Sequence, residues 1–288
     1  MRRAAVLSLA LVGTAAAQPL PVRLPEQAPP PGPRTVRAQL DGSVAIDVDG
    51  EVRSGALVIE AVGHRGGWFY GLQLGAVGWV DQHTVINTYT SSGLQPTNPV
   101  LTAGYWARAG ATPVQLGLHL AAMPGVTGGV ACDCDGVWEH EKRPSQLTRF
   151  GALPTTVPDE SAGLLGVGLR FDHRRYIAQA EAAIVGVLGN RGSDGDTPNH
   201  GWFAAGVGAR VVPTLAITAH GFVHRGKRRY QPYEQRFAVG AAAHLEVPGA
   251  TVSLRVDLRL DRCYLGEWLP GEPRGSCTRF AVDYARAF

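Results

Sequence analysis

Beyond its first seventeen residues the sequence holds no run of 18 or more apolar residues, because Gly, Arg or His interrupts the longest stretches every few positions. A helix needs about 20 such residues to cross a bilayer, so the rest of the chain contains no transmembrane helix. If it enters a membrane, it does so as strands. Net charge is also scarce: +3 overall, and about +1 once Arg2 and Arg3 are set aside. That balance excludes a dedicated nucleic-acid binder and gives no reason to expect an acidic partner. Cysteine is limited to Cys132, Cys134, Cys263 and Cys277. None of these falls in the C-x-x-C spacing that structural zinc sites prefer.

What is present begins with an export signal. Arg2 and Arg3 precede an apolar stretch from Ala4 to Val12, and Ala15-Ala16-Ala17 stands before Gln18. This is the layout of a cleavable secretory peptide spanning 1–17, so the mature chain is expected to begin at Gln18. A membrane anchor is disfavoured because about 14 apolar residues fall short of a span, and the absence of cysteine after Ala17 argues against a lipoprotein. Residues 18–34, QPLPVRLPEQAPPPGPR, carry seven prolines and read as a disordered periplasmic lead-in. Residues 35–53 alternate weakly around Asp41-Gly42 and Asp49-Gly50, two hairpin-type pairs, and read as a small β-hairpin or as extra strands.

From residue 54 to 288 one theme repeats: segments of about ten residues with alternate positions apolar, separated by short and long gaps in turn. In 252–260, Val252, Leu254, Val256, Leu258 and Leu260 share one face, and Ser253, Arg255, Asp257 and Arg259 the other. Segments 114–120, 165–171, 201–211, 214–224 and 236–246 repeat the pattern, with Gly, Ala, Arg and His on the polar face. Arg108–Pro113, Asp172–Arg174, Val212-Pro213 and Val247–Gly249 supply short turn signals, while 123–160, 189–200, 225–235 and 261–277 are long and polar. The expected fold is all-β: a single antiparallel transmembrane barrel of twelve strands, with ten as the alternative. The expected strands are 55–62, 67–78, 84–91, 100–109, 114–122, 161–171, 175–187, 201–211, 214–224, 236–246, 250–261 and 278–288. Trp68, Trp79, Tyr105, Tyr176, Trp202 and Tyr284 are candidates for interfacial girdles.

The last eleven residues place Phe280, Val282, Tyr284 and Phe288 on one face and stop at the aromatic Phe288. Here the chain resembles bacterial outer-membrane β-barrel proteins, whose final strand typically ends in an aromatic residue with apolar residues at alternate positions before it. The resemblance covers most of the chain but identifies a superfamily and no particular member. It implies recognition of the C-terminal strand by the barrel-assembly machinery, outer-membrane lipid and lipopolysaccharide as surroundings, and both termini in the periplasm. Arg286 departs from the pattern at a lipid-facing position, where its long stem can snorkel to the interface.

Some barrels of this superfamily are hydrolases, but neither His220 nor His224 is followed by a serine in His-x-Ser form. Four residues of strand separate these two histidines by about 13 Å, too far for two ligands of one metal. With His119 and His244 they read as lumen-lining histidines. Cys132, Cys134 and His140 lack a fourth zinc ligand, and Asp194-Gly195-Asp196 reads as a solvated turn, so no metal and no cofactor is expected. Cys263 and Cys277 flank one Gly/Pro-rich stretch and are expected to pair; Cys132 and Cys134 either close a local ring, stay reduced or cross-pair. Arg225, Lys227, Arg228 and Arg229 form a basic cluster in an expected outer loop, either solvated or in contact with lipopolysaccharide phosphates.

Inside the expected lumen stand Arg170, Arg210, Arg255 and Arg259 with Glu181, Asp257 and Asp283. They fill it as inter-strand ion pairs or line a pore that favours anions. The functional expectation is a monomeric, non-enzymatic outer-membrane barrel. It is either structural or a narrow anion-favouring channel, with the stretch 123–160 as its lid. A lipid-modifying hydrolase and a surface adhesin are the alternatives.

Overall fold

Alternating apolar and polar residues, punctuated by turn signals, can bury one face of every strand only if the sheet closes. The computed structural model shows that closure, and it describes residues 20, 22–24, 27–47, 50–83, 89–125, 160–190, 199–228, 231–260 and 276–288. The strands are β1 (Thr35–Asp47), β2 (Gly50–Arg65), β3 (Trp68–His83), β4 (Tyr89–Pro96), β5 (Val100–Arg108), β6 (Val114–Met123) and β7 (Glu160–His173). They continue as β8 (Tyr176–Asn190), β9 (Asn199–Val212), β10 (Leu215–Arg228), β11 (Gln231–Val247), β12 (Ala250–Arg259) and β13 (Ser276–Ala287). Neighbours in sequence pair antiparallel, and β1 closes the ring on β13 from Thr35↔Ala287 to Ile46↔Ser276.

Thirteen segments make twelve barrel strands. β4 pairs with the second half of β3 (Ala76↔Pro96 to His83↔Tyr89) and β5 with its first half (Trp68↔Tyr105 to Gln73↔Val100). The two are one strand broken at Thr97-Asn98-Pro99. Pro99 has no amide to donate and disfavours the helical region in Asn98, so the break is local. The Thr97 amide still donates to the Gly75 carbonyl at 2.9 Å.

The expected number of strands holds, but two errors in the expected spans cancel. Of the expected span 84–91, residues 89–91 begin the strand that continues into 100–108, and 84–88 lie outside the described residues. Residues 35–47, expected as a hairpin or extra strands, are a full barrel strand. Asp41-Gly42 is not a turn: Asp41 points into the barrel toward Arg279, and the reversal falls beside Gly50. The ten-strand alternative is excluded. Strands β10 and β11 also run on to Arg228 and from Gln231, so most of the expected loop 225–235 is hairpin.

The connections 66–67, 109–113, 174–175, 213–214 and 248–249 lie at one end, together with Arg34 and Phe288. We call this the turn end; the connections 48–49, 84–88, 124–159, 191–198, 229–230 and 260–275 leave the opposite, loop end. Gly66 and Gly249 hold φ of 63° and 71°, which two-residue hairpin turns require and glycine adopts without strain.

Burial is inverted relative to a water-soluble protein. Along β12, Leu254 and Val256 are 58% and 41% exposed while the intervening Arg255 and Asp257 are each 3% exposed. The apolar residues face outward on the other strands as well, as a bilayer core demands. Trp68, Tyr105, Tyr176 and Tyr284 are exposed on the outer face near the turn end, with the Trp68 and Tyr105 rings 5.0 Å apart. Trp202 departs from the expected girdle and points inward, 8% exposed. Arg286 is exposed on the outer face near the turn end.

Candidate functional site: the plugged lumen

The described residues of the proline-rich segment, 20, 22–24 and 27–33, run along the inside of the barrel, where most of them are buried. Leu20, Val22, Leu24, Gln27 and Ala28 are all buried, and Val22 and Leu24 pack with Ile177 and Ala216 in the turn-end half of the lumen. Ala28 packs with Val62, Phe69 and Trp106. Proline-rich chain has few amide donors and no internal hydrogen bonds, so its carbonyls seek donors elsewhere. The lumen supplies them. Trp106 Nε1 donates to the Pro29 carbonyl at 2.9 Å, and Arg170 Nη2 to the Val22 carbonyl at 3.1 Å. In the reverse sense, the Ala28 amide donates to Glu181 Oε1 at 2.7 Å. Gln27 Nε2 donates to the Gln179 carbonyl at 3.2 Å, and Arg23 pairs with Glu60. Composition alone gave no sign of this, because the apolar core that buries Leu20, Val22 and Leu24 belongs to distant strands.

Inward glycines make the room. A Cβ on Gly117 would stand 2.7 Å from the Trp106 ring, and one on Gly168 2.9 Å from it. The indole that caps Pro29 therefore sits in a bay cut by two glycines of β6 and β7. Gly240 plays the same part for Asp257 and His220.

The charged lumen residues fall into two networks. Toward the turn end, Arg170 donates to Asp172 at 2.7 Å and to Gln179 Oε1 at 2.7 Å. Arg210 reaches Asp172 and Glu246, both at 3.2 Å. On the wall formed by β1, β12 and β13, Asp41 joins Arg279 at 2.9 Å and Arg255 at 3.6 Å. There Asp257 meets Arg255 at 3.2 Å and His220 at 2.6 Å, and Asp283 meets Arg37 at 2.8 Å. Arg259 follows Arg255 and Asp257 on the same face of β12 and is half-buried. Glu181, expected among the ion pairs, is held chiefly by the Ala28 amide and by Gln179 Nε2 at 2.8 Å.

Of the histidines, His119 is buried with its Nε2 3.9 Å from Glu181. His244 bridges Thr218 at 2.9 Å and Ser253 at 2.8 Å. His224 lies on β10, its side chain outside the described residues. Arg225 is exposed on β10, Lys227 and Arg228 belong to the end of that strand, and Arg229 lies outside the described residues.

Sequence reading missed Arg37, Asp41, Glu60, Asp172, Glu246 and Arg279. Asp41 and Asp172 were assigned to turns, and Arg37 lay in the unassigned 35–53 stretch. The alternation within β2, β11 and β13 did place Glu60, Glu246 and Arg279 on the inward face, and that signal was available. With these acids included, carboxylates match arginines along the described lumen, and the expected excess of arginine disappears.

Cys277 lies on β13 opposite Ala45. No cysteine pair at bonding distance exists among the described residues, and Cys263, the expected partner of Cys277, lies outside them. Cys132, Cys134 and Cys263 lie outside the described residues, as do the stretch expected as a lid and Asp194–Asp196. Among the described residues no cluster of three or more His, Cys, Asp or Glu is arranged to hold a metal.

Above the plug a cavity of about 140 Å³ remains, with Gln27, Ala28 and Pro29 in its lining. Toward the loop end the wall from β5 to β11 turns apolar, with Met123, Leu164, Val185, Trp202 and Phe222 among small alanines. The lumen thus holds the described N-terminal residues toward the turn end and is lined by apolar side chains toward the loop end.

No family model and no curated protein matches the chain. Solved structures do. The NanC porin superposes with a TM-score of 0.55 at 9% identity, over 87% of this chain and 100% of that one. An outer-membrane channel from Pseudomonas putida F1 gives 0.54 at 11% identity, over 93% and 100%. The β-domain of the Bordetella autotransporter BrkA gives 0.53 at 14% identity, over 89% and 100%. Identity this low carries the fold and nothing finer: the chain folds as a single closed twelve-stranded antiparallel β-barrel, as these solved structures do.

Proposed function

We propose that the protein is a narrow outer-membrane channel held shut by its own N-terminal segment. The observation that carries this reading is the burial of Leu20, Val22, Leu24 and residues 27–30 in the lumen, anchored through Trp106, Arg170 and Glu181. A plug made from the end of a chain can leave without unfolding a strand, whereas inward side chains cannot. Because carboxylates match arginines along the wall, the open channel is only weakly ion-selective, in place of the anion preference expected from sequence.

In this reading the signal is removed before Gln18, the turn end faces the periplasm and the plug enters from that side. The girdle of Trp68, Tyr105, Tyr176 and Tyr284 marks the periplasmic interface. β13, ending at Phe288, is the strand offered to the barrel-assembly machinery. The basic residues at the tip of β10, Arg225 to Arg228, meet lipopolysaccharide phosphates, and the barrel works as a monomer.

Planar-bilayer conductance of two refolded chains tests the proposal: one starting at Gln18 and one starting at Arg34. A closed or rarely opening full chain beside a truncated chain with frequent, weakly selective steps supports it. Equal conductance of the two, or silence from a truncated chain whose heat-dependent gel mobility shows a folded barrel, overturns it.

A further inference from the structure

The plug is anchored on one side and leaves space on the other. Trp106 of β5 holds its Pro29 carbonyl, Arg170 of β7 its Val22 carbonyl and Glu181 of β8 its Ala28 amide. Between the plug and the wall of β1, β2, β12 and β13 lies a second cavity, of about 60 Å³. Gly32 and Pro33, exposed at the turn end, belong to its lining.

This cavity and the one of about 140 Å³ above the plug share four lining residues, Arg23, Pro29, Arg37 and Glu60. Those four are the partition between them. Across it, Arg23 Nη1 of the plug donates to Glu60 Oε2 of β2, and Arg37 of β1 comes within 3.9 Å of the same oxygen. Arg37 is paired in turn with Asp283 at 2.8 Å. The Arg23 and Arg37 side chains keep 23% and 17% of their surface accessible, so they face open space and are not sealed into the wall. Arg23 is also braced from within the plug, its Nε donating to the Gln27 carbonyl at 3.0 Å. Its guanidinium therefore bridges plug and wall. Loss of that bridge leaves the anchors on β5, β7 and β8 in place, so the plug stays seated while the two cavities join.

We infer that Arg23 and Glu60 are the latch of a side passage along the β1–β2 wall and set its ion preference, so that the channel conducts with its plug still in place. The inference rests on the channel reading and adds to it a second, smaller conducting state. Two guanidiniums, Arg23 and Arg37, meet two carboxylates, Glu60 and Asp283, at the partition, and their charges cancel. Removing either member of the latch unbalances it by one charge, in opposite senses. Without Glu60 the surplus is positive, and Arg23 keeps the Gln27 carbonyl. Without Arg23 the surplus is negative, and Glu60 keeps Arg37. Neither variant strands a buried charge, so both barrels should fold. A surplus unit charge about 4 Å from the path changes the local concentration of a monovalent ion about fivefold in water, and charged side chains around a pore select by sign in this way.

Planar-bilayer recording of refolded Glu60→Ala and Arg23→Ala chains starting at Gln18 tests the latch, beside the parent and the chain starting at Arg34, with gel mobility confirming folded barrels. Both variants should show steps smaller than those of the chain starting at Arg34. Glu60→Ala should favour anions and Arg23→Ala cations, each about fivefold. Hydrogen–deuterium exchange over residues 18–33 should leave the plug as protected as in the parent. Three results would overturn the inference: variants as closed as the parent, the same ion preference in both, or steps of full size with the plug's protection lost, which would make the pair a plain anchor. Closed variants beside a conducting chain starting at Arg34 remove the latch and leave the channel. Closed variants beside a silent chain starting at Arg34 remove both.

Discussion

Arginine placed on the outer face of β12 distinguishes a barrel in lipid from one in water. Val252 pairs with Tyr284 of the aromatic girdle, and Val256 lies four residues further toward the loop end. With strands tilted about 40° from the barrel axis, each residue climbs about 2.6 Å, so Val256 stands roughly 10 Å above the girdle. An apolar band about 25 Å tall places that level near the bilayer midplane. Val256→Arg should therefore cost about 2–4 kcal/mol, roughly a 30- to 700-fold loss in the folding equilibrium, and Val252→Arg about 0–1 kcal/mol near the interface. Both side chains are outward, and in a water-soluble barrel either substitution would stay within about 0.5 kcal/mol. Reversible guanidinium unfolding in lipid vesicles, followed by tryptophan fluorescence, reads the difference. Equal, small costs at both positions would refute the inside-out arrangement.

Three further outcomes follow from the lumen. Trp106→Phe removes the hydrogen bond to the Pro29 carbonyl and should loosen the plug by about 1 kcal/mol, seen as a several-fold higher open probability in bilayers with the barrel's stability little changed. Gly117→Leu fills the bay that holds the Trp106 ring; overpacking of about 1–3 kcal/mol is expected in denaturant unfolding of the full chain. Asp41→Ala removes one of the two carboxylates that face Arg255 and Arg279 and leaves them to share Asp257. It should cost about 1–3 kcal/mol, while Asp41→Asn, which keeps a hydrogen-bond acceptor, should cost less.

Strand existence was legible because a bilayer imposes a period of two on every crossing. Val252 to Leu260 and Phe237 to Leu245 announce both their conformation and their outward face. The ends of strands were less legible, since Asp-Gly pairs mark turns only when the inward carboxylate has no partner. Asp41 has two, Arg255 and Arg279, supplied by β12 and β13 more than 200 positions away. Pro99 hid the continuity of β4 with β5, because a strand interrupted at a proline looks like two. The lumen was half legible: alternation placed Arg170, Arg255 and Asp257 inside, but which acids answered them depended on register between strands. The plug was not legible at all. Prolines deprive the described residues of this segment of secondary structure of their own, and only the assembled barrel supplies the indole, guanidinium and carboxylate that hold Pro29, Val22 and Ala28.

Hydrogen–deuterium exchange of the folded protein in lipid vesicles, resolved over the peptide spanning residues 18–33, tests the central claim most directly. A seated plug should protect the amides of Val22, Leu24 and Ala28 by orders of magnitude over the same peptide in the denatured chain, with the Ala28 amide donated to Glu181 among the slowest. Exchange of this peptide at the denatured rate, in a barrel whose strands are protected, would contradict the plugged lumen.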